Sequence, residues 1–268
     1  MLVPIVVLLL AGALAGFLGG LLGIGGGLLV VAALSLALPA WGVPKSEVMH
    51  VSVATSMATI VLTLVSSAAA HVRRGSVLWP TWGWLAPGMV VGGIAGASVA
   101  QMLSAQTLRW IIAAFCAVMA WRMAFGRTTV RADDAGRVPR SPWLLPVGAG
   151  IGALSAVAGI GGGSMTVPLL VSLGAKPVRA VGTSAACGLT IAIASALSYA
   201  LAVHRLPLPL PWGAVGYLYL PAAAVVTLVS MTLAPLGARA AHAISAAALR
   251  RVFAVFLLVA GVVIAAGG

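Results

Sequence analysis

Two identical glycine clusters, Gly-Ile-Gly-Gly-Gly, stand at 23–27 and 159–163 inside long apolar runs. Each glycine in a helix interior costs about 0.5–1 kcal/mol relative to alanine, so the clusters predict interruptions of a helix. Where a helix restarts, its free N–H groups and positive dipole end attract anions, and glycine lets a ligand approach the backbone. The residues predicted to bind such an anion are Gly23, Gly25, Gly26, Gly27, Gly159, Gly161, Gly162 and Gly163, with Ser164 directly after the second cluster.

Close packing of helices is the alternative interpretation of these glycines. Small residues spaced by four are typical of helix contacts in membranes, and Gly12 with Gly16 and Gly92 with Gly96 fit that spacing. Three consecutive glycines cover most of the helix circumference, whereas one packing face needs only every fourth residue. The clusters therefore favour a ligand-lining role, and the spaced pairs favour packing.

Hydroxyl groups are the next candidates for chemistry. Thr55 and Ser56 recur as Thr183 and Ser184 at matching places in a later apolar run, where their hydroxyls either coordinate an anion or bond to helical carbonyls and hold helices together. A nucleophilic Ser164 would need a base and an orienting acid, and no apolar run contains an acid. We therefore expect no enzyme activity and count all four hydroxyls among the substrate-binding candidates.

His71 and His204 are the titratable candidates for proton coupling, because histidine exchanges a proton near neutral pH. They lie at the ends of apolar runs beside Arg73 and Arg205, so the alternative is an interfacial position. The interface is also the expected place for the tryptophans near them.

The composition identifies a membrane protein. Only 7% of the residues are charged and 62% are hydrophobic, whereas an ordinary soluble domain is about 25% charged. The 15 Lys and Arg residues produce a net charge of +12, but they stand singly or in pairs at the ends of apolar runs, which indicates loop anchoring and no nucleic-acid partner. The expected partners are the lipid bilayer and a small anionic substrate, with a homo-oligomer left open.

Metal and cofactor chemistry is disfavoured. Cys116 and Cys187 lie in apolar runs, where a free cysteine is typically a small buried hydrophobe, and the three carboxylates of the chain, Glu47, Asp133 and Asp134, are assigned to loops. The glycine clusters lack the Lys-Ser/Thr of a phosphate-binding loop. Transport would then be driven by a proton or ion gradient or by the substrate gradient itself.

Charges and turn residues divide the chain into apolar stretches near 2–38, 48–70, 78–103, 106–126, 143–174, 179–203, 210–235 and 246–266. The predicted fold class is an all-α polytopic membrane protein with about eight transmembrane helices. The first helix of each half is predicted to be broken or re-entrant at its glycine cluster. Only twelve uncharged residues separate Arg109 from Arg122, so one of these arginines points into the protein or, as we expect, snorkels to the interface.

An internal repeat relates the two halves. Residues 16–31 and 152–167 are identical at eight of sixteen positions, and 96–109 resembles 237–250. His71 stands eight residues before Trp79, and His204 stands eight before Trp212. The predicted organisation is a first membrane repeat at 1–126, a polar linker loop at 127–142 and a second membrane repeat at 143–268, parallel to the first if each half has four crossings.

These motifs resemble the sulfite exporter TauE/SafE family of membrane permeases, whose members carry a duplicated G-x-G-G-G motif, often followed by proline. "GIGGGSMTVP" (159–168) matches that form, while "GIGGGLLVVA" (23–32) lacks the proline. The Thr-Ser pairs and the Leu-Arg pairs at 108–109 and 249–250 also look like the family pattern. The resemblance implies a multi-pass transporter of the inner or plasma membrane, built from two four-span halves, that moves sulfur-containing anions.

We therefore expect a secondary permease or exporter for a small anion, such as sulfite or an organosulfonate. An anion channel and a non-transporting membrane assembly subunit are the alternatives. A channel would show flux that does not saturate, and an assembly subunit would need no polar cavity.

Overall fold

The computed structural model describes residues 2–22, 26–125, 141–202, 212–243 and 246–266 of the 268-residue chain. The helices in these ranges are α1 (Leu2–Leu22), α2 (Gly27–Ala37), α3 (Val48–Arg73), α4 (Trp79–Met102), α5 (Ala105–Phe125), α6 (Leu144–Ala158), α7 (Gly163–Ser172), α8 (Pro177–Ala200), α9 (Leu220–Ala243) and α10 (Ala246–Ala266). A 3-10 helix, Leu38–Trp41, follows α2, and two short strands, β1 (Ala214–Val215) and β2 (Leu218–Tyr219), precede α9. The predicted linker at 127–142 lies almost entirely outside the described residues.

By length and composition, four of the described helices can cross a membrane, namely α3, α4, α5 and α8. The broken helices are shorter: α2 has 11 residues, α6 has 15 and α7 has 10. The predicted multi-pass helical character is confirmed in the coarser sense that the fold is mostly helical and has several helices long enough to cross a membrane. The count of eight crossings in two four-span repeats stays a prediction.

The central helices are α3 and α8, which pack against each other. In each of them 72% of the most apolar 18-residue window is buried, compared with 33% in α5. Around this pair α1 packs against α9, α4 against α6 and α5 against α10. Every one of these contacts joins a helix of the predicted first half to one of the second, so the two halves interlock.

The spaced glycine pairs serve the packing that their sequence spacing predicts. A Cβ added at Gly12 or Gly16 would meet the backbone of α9 at Val226 or Ser230. A Cβ added at Gly92 would similarly meet a backbone carbonyl of α6. The absence of a Cβ at these positions lets the backbones approach closely, as in other small-residue helix contacts, and each contact joins one half to the other.

The predicted start of a helical span near 210 is wrong. The helix begins at Leu220, and the apolar residues just before it form an antiparallel hairpin in which Ala214 pairs with Tyr219 and Val215 with Leu218. The turn of this hairpin contains Gly216 with φ 56°, a left-handed conformation that glycine adopts readily. Because the hairpin residues are apolar and partly buried, hydropathy alone merges them with the helix that follows.

Candidate functional site

The second glycine cluster interrupts a helix, as predicted. The helix α6 ends at Ala158, Gly159 follows with φ 73°, and α7 begins at Gly163 after Gly162 with φ 71°. Both φ values lie in the left-handed region, where a side chain with a Cβ is strained. Space beside the turn is limited, since a Cβ at Gly162 would lie 3.3 Å from the hydroxyl oxygen of Ser155 in α6.

The first cluster also separates two helices. The helix α1 ends at Leu22, and α2 begins at Gly27 after Gly26 with φ 61° and ψ 7°. A Cβ at Gly26 would meet the carbonyl oxygen of Ala15 in α1, so α2 folds back along α1. Gly23 and Gly25 of the predicted site lie outside the described residues. The segments 26–27 and 159–164 are called the first and second break below.

The two breaks are brought together by the central helix α3. The hydroxyl of Ser56 lies 2.9 Å from the carbonyl oxygen of Gly27 and 3.0 Å from that of Gly159, and it donates to both. Ser56 is fully buried. The contact is close enough that a Cβ at Gly27 would meet Gly159 O and lie 2.6 Å from Cδ1 of Ile60. Ser56 therefore joins two backbone segments that are more than a hundred residues apart in the sequence.

A small cavity of about 20 Å³ lies between the breaks, which is room for one water-sized species. Gly26 and Gly27 line it from the first break, and Ile160 and Ser164 line it from the second. The rest of the wall is apolar and consists of Leu18, Leu28, Phe115, Met119, Phe256 and Leu257. The cavity thus has bare backbone on one side and side chains of α5 and α10 on the other.

The starts of α2 and α7 give this cavity a positive potential. The first bonds to the capping carbonyls are made by the N–H of Leu29 in α2 and of Met165 in α7, at 3.0 and 3.1 Å. The two residues before Leu29 and the two before Met165 have N–H groups without a carbonyl partner inside their helix, as is usual at a helix N-terminus. Two helix N-termini, each with about half a positive charge, therefore lie beside one small space.

Ser164 lines the cavity and is 3% exposed, and its hydroxyl has no hydrogen-bond partner among the described residues. A buried hydroxyl without a partner costs free energy unless a ligand or water satisfies it. No described histidine or acid bonds to it, as a nucleophile would need. Ser184, the counterpart of Ser56, is also buried without a described partner.

The two threonines of the predicted site hold helices together across the halves. The hydroxyl oxygen of Thr55 accepts the N–H of Tyr219 just before α9, at 3.0 Å. That of Thr183 accepts the N–H of Leu78 just before α4, at 2.9 Å. Their hydroxyl oxygens satisfy N–H groups at helix starts, and their predicted contact with substrate stays a prediction.

His71 lies near the C-terminal end of α3, far from the breaks. Fifteen residues separate it from Ser56, or about 22 Å along the helix axis at 1.5 Å per residue. His204 lies outside the described residues. Proton coupling through these two histidines stays a prediction, and the described geometry keeps His71 away from the cavity.

A buried pair at the other end of α3 was not predicted from the sequence. Glu47, assigned to a loop, is the N-cap residue of α3 and 6% exposed, and its carboxylate lies 3.7 Å from Nδ1 of the 4% exposed His50. Arg109 in α5 is also buried, at 6% exposed, whereas Arg122 is exposed, so Arg109 is the one of the two arginines that points into the protein. The signal in the sequence is the spacing of three between Glu47 and His50, which places both on one face of a helical turn.

A mostly helical fold with four described helices able to cross a membrane is that of a multi-pass membrane protein, and comparison with known proteins adds a similarity to membrane transporters. The family model described as "Sulfite exporter TauE/SafE" matches residues 8–264. The chain belongs to the sulfite exporter TauE/SafE family.

Relatives carry the same general description. A "Probable membrane transporter protein" of Haemophilus influenzae is 35% identical over 259 residues, which is 96% of this chain and 97% of the relative. A protein of Xylella fastidiosa with the same description is 30% identical over 71% of this chain and 72% of its own length. The "Probable membrane transporter protein YunE" of Bacillus subtilis is 28% identical over 67% of this chain and 72% of its own. No solved structure matches the chain.

Proposed function

We propose that this protein is a secondary transporter for a small oxyanion of the sulfite or organosulfonate class, bound between the two breaks. The observation that carries the proposal is the convergence of two helix N-termini and the hydroxyl of Ser164 on one cavity. Backbone N–H groups and a hydroxyl can replace the water around an anion without a neutralising side chain. The membrane-transporter family of the chain supports the same function.

The chemistry of the cavity wall suits an anion with one polar and one apolar side. Oxygens of the anion accept hydrogen bonds from the starts of α2 and α7, and the substituent on the sulfur contacts Phe115 and Met119 of α5 or Phe256 and Leu257 of α10. These four side chains offer no hydrogen bonds of their own. A sulfonate that carries a short alkyl group satisfies both sides of the wall.

Transport also requires the cavity to enlarge. Its volume of about 20 Å³ admits one water-sized species, and a sulfur oxyanion is larger. The apolar side of the wall comes from α5 and α10, which pack against each other and, through α10, against α2. Movement of these two outer helices away from the breaks opens the cavity without disturbing the Ser56 contacts of α3.

The experiment is anion uptake into proteoliposomes containing the purified protein, with sulfite, sulfate, thiosulfate and short alkyl sulfonates offered separately. The proposal predicts saturable uptake of at least one of these anions and counterflow, in which unlabelled anion inside accelerates entry of labelled anion. Flux that rises linearly with concentration without counterflow would indicate a channel. No uptake of any anion by correctly folded protein would refute the proposal.

A further inference from the structure

We propose that Glu47 and His50 form a proton-binding site whose occupancy is coupled to anion transport. The inference rests on the proposed transport function and adds the residues that take up the proton. It begins from the hydrogen bond between Nε2 of His50 and the carbonyl oxygen of Leu103, at 3.0 Å. A carbonyl can only accept, so Nε2 carries a hydrogen.

The hydrogen on Nε2 decides whether the other ring nitrogen, Nδ1, is a donor or an acceptor in a neutral ring. In a neutral ring with a hydrogen on Nε2, Nδ1 is an acceptor, and it lies 3.7 Å from the Glu47 carboxylate without another partner among the described residues. Two acceptors would then face each other in a buried place, which is unfavourable. One proton, on Nδ1 or on the carboxyl group, converts this repulsion into an attraction, so the pair is built to hold one proton.

Four other aromatic or ionisable side chains of the described residues matter for the pair of Glu47 and His50. The ring of Tyr217 in the hairpin lies against His50 with centroids 5.7 Å apart. The buried guanidinium of Arg109 is on α5, which packs against α3. Tyr199 of α8 stands edge-on to Tyr217 at 6.4 Å. Lys45, two residues before Glu47, is exposed.

The pair is connected to the second break through the two tyrosines. The N–H of Tyr217 donates to the carbonyl of Tyr199 at 3.2 Å, and the hydroxyl of Tyr199 donates to the carbonyl of Ala156 in the last turn of α6 at 3.2 Å. Along α3 itself, His50 is six residues from Ser56, or about 9 Å. A change in the proton occupancy of the pair can therefore act on the break through packed groups.

The fold does not require this pair to start a central helix. Counted from the Thr-Ser pairs, the positions at the start of α8 that match Glu47 and His50 are Ala175, two residues before the helix, and Val178, so α8 forms without an acid or a histidine there. Since the other half dispenses with the pair, a role beyond helix formation explains two buried ionisable groups in a chain with three carboxylates.

The test compares gradient-driven uptake with counterflow in proteoliposomes, for wild type, His50→Gln, Glu47→Gln, Glu47→Asp and the exposed control Lys45→Gln. With the membrane potential clamped, one net proton per anion allows a one-unit pH gradient to accumulate the anion about tenfold. We expect this accumulation in wild type, Lys45→Gln and Glu47→Asp. In His50→Gln and Glu47→Gln we expect it to fall to the level without a gradient, while counterflow continues.

Three outcomes overturn the inference. If His50→Gln and Glu47→Gln accumulate the anion as well as wild type does, the pair does not couple proton movement to anion transport. Wild-type counterflow without any response to a pH gradient shows that no coupling exists, and leaves the transport function intact. Absence of both uptake modes in wild type refutes the transport function as well. If one glutamine variant does not fold, the other decides the first outcome, and the number of protons taken up or released per anion by wild type, read with a trapped pH dye, decides the second.

Discussion

The hydroxyl of Ser56 joins the two breaks, and its removal tests whether they act as one site. Ser56→Ala keeps the Cβ and deletes the donor that the carbonyls of Gly27 and Gly159 share at 2.9 and 3.0 Å. Both carbonyls lie beside a fully buried side chain, so water does not readily replace the hydroxyl. The substitution adds no atoms and should leave the helices intact.

The expected loss of stability in Ser56→Ala follows from the single hydroxyl hydrogen that the two carbonyls share. Leaving a buried polar group without its partner costs about 1–3 kcal/mol. For chains of 150–250 residues, each kcal/mol shifts Tm by about 2–4 °C, so Ser56→Ala should lower Tm by about 2–12 °C. Because the breaks are then no longer held together, anion affinity in counterflow should fall more than the maximal rate.

The matched control is Ser66→Ala on the same helix. The hydroxyl of Ser66 is exposed and donates only to the carbonyl of Thr63 within α3, at 2.9 Å, so its loss should leave Tm and affinity near the wild-type values. Thermal unfolding in detergent and the concentration dependence of counterflow are measured for both variants. Ser56→Ala that matches Ser66→Ala in Tm and affinity would refute the reasoning.

Two further substitutions test the close contacts between the halves. Gly27→Ala places a methyl group against a carbonyl of the second break and should destabilise the protein by about 1–3 kcal/mol, whereas Gly83→Ala, with nothing within 4 Å of the added Cβ, should be neutral or slightly stabilising in thermal unfolding. Thr183→Val removes the acceptor for the N–H of Leu78 and should lower stability by about 1–3 kcal/mol. Thr190→Val, whose hydroxyl bonds only within α8, should have little effect, and equal Tm values for the two threonine variants would contradict this role.

The positions of the breaks could be predicted because glycine acts locally. Consecutive glycines weaken a helix whatever surrounds them, and the structure ends α6 at Ala158 and starts α7 at Gly163. The packing glycines were predictable for the same reason, since a spacing of four lies on one helix face. Local propensity also sufficed for the bounds of α3, α4, α5 and α8, which differ from the predicted stretches by a few residues.

Contacts between distant residues could not be predicted in this way. The acceptor role of Thr183 depends on Leu78, more than a hundred residues away, and nothing at 183 indicates it. Glu47 follows Pro44 and Lys45, a sequence typical of a loop, and its burial is a consequence of tertiary packing. The sequence landmarks Trp79 and Trp212 also differ in their local structure, because Trp79 begins α4 while Trp212 precedes the hairpin and is 92% exposed.

Protection of a cysteine at position 164 by the transported anion measures most directly whether the substrate binds between the breaks. In a background of Cys116→Ala and Cys187→Ala, Ser164→Cys is treated with a small polar thiol reagent in proteoliposomes, with Ser66→Cys as the control. The account predicts that saturating transported anion slows modification at 164 severalfold, that an anion that is not transported has no effect, and that modification at 66 is unchanged. An unchanged rate at 164 in a variant that still transports would contradict it.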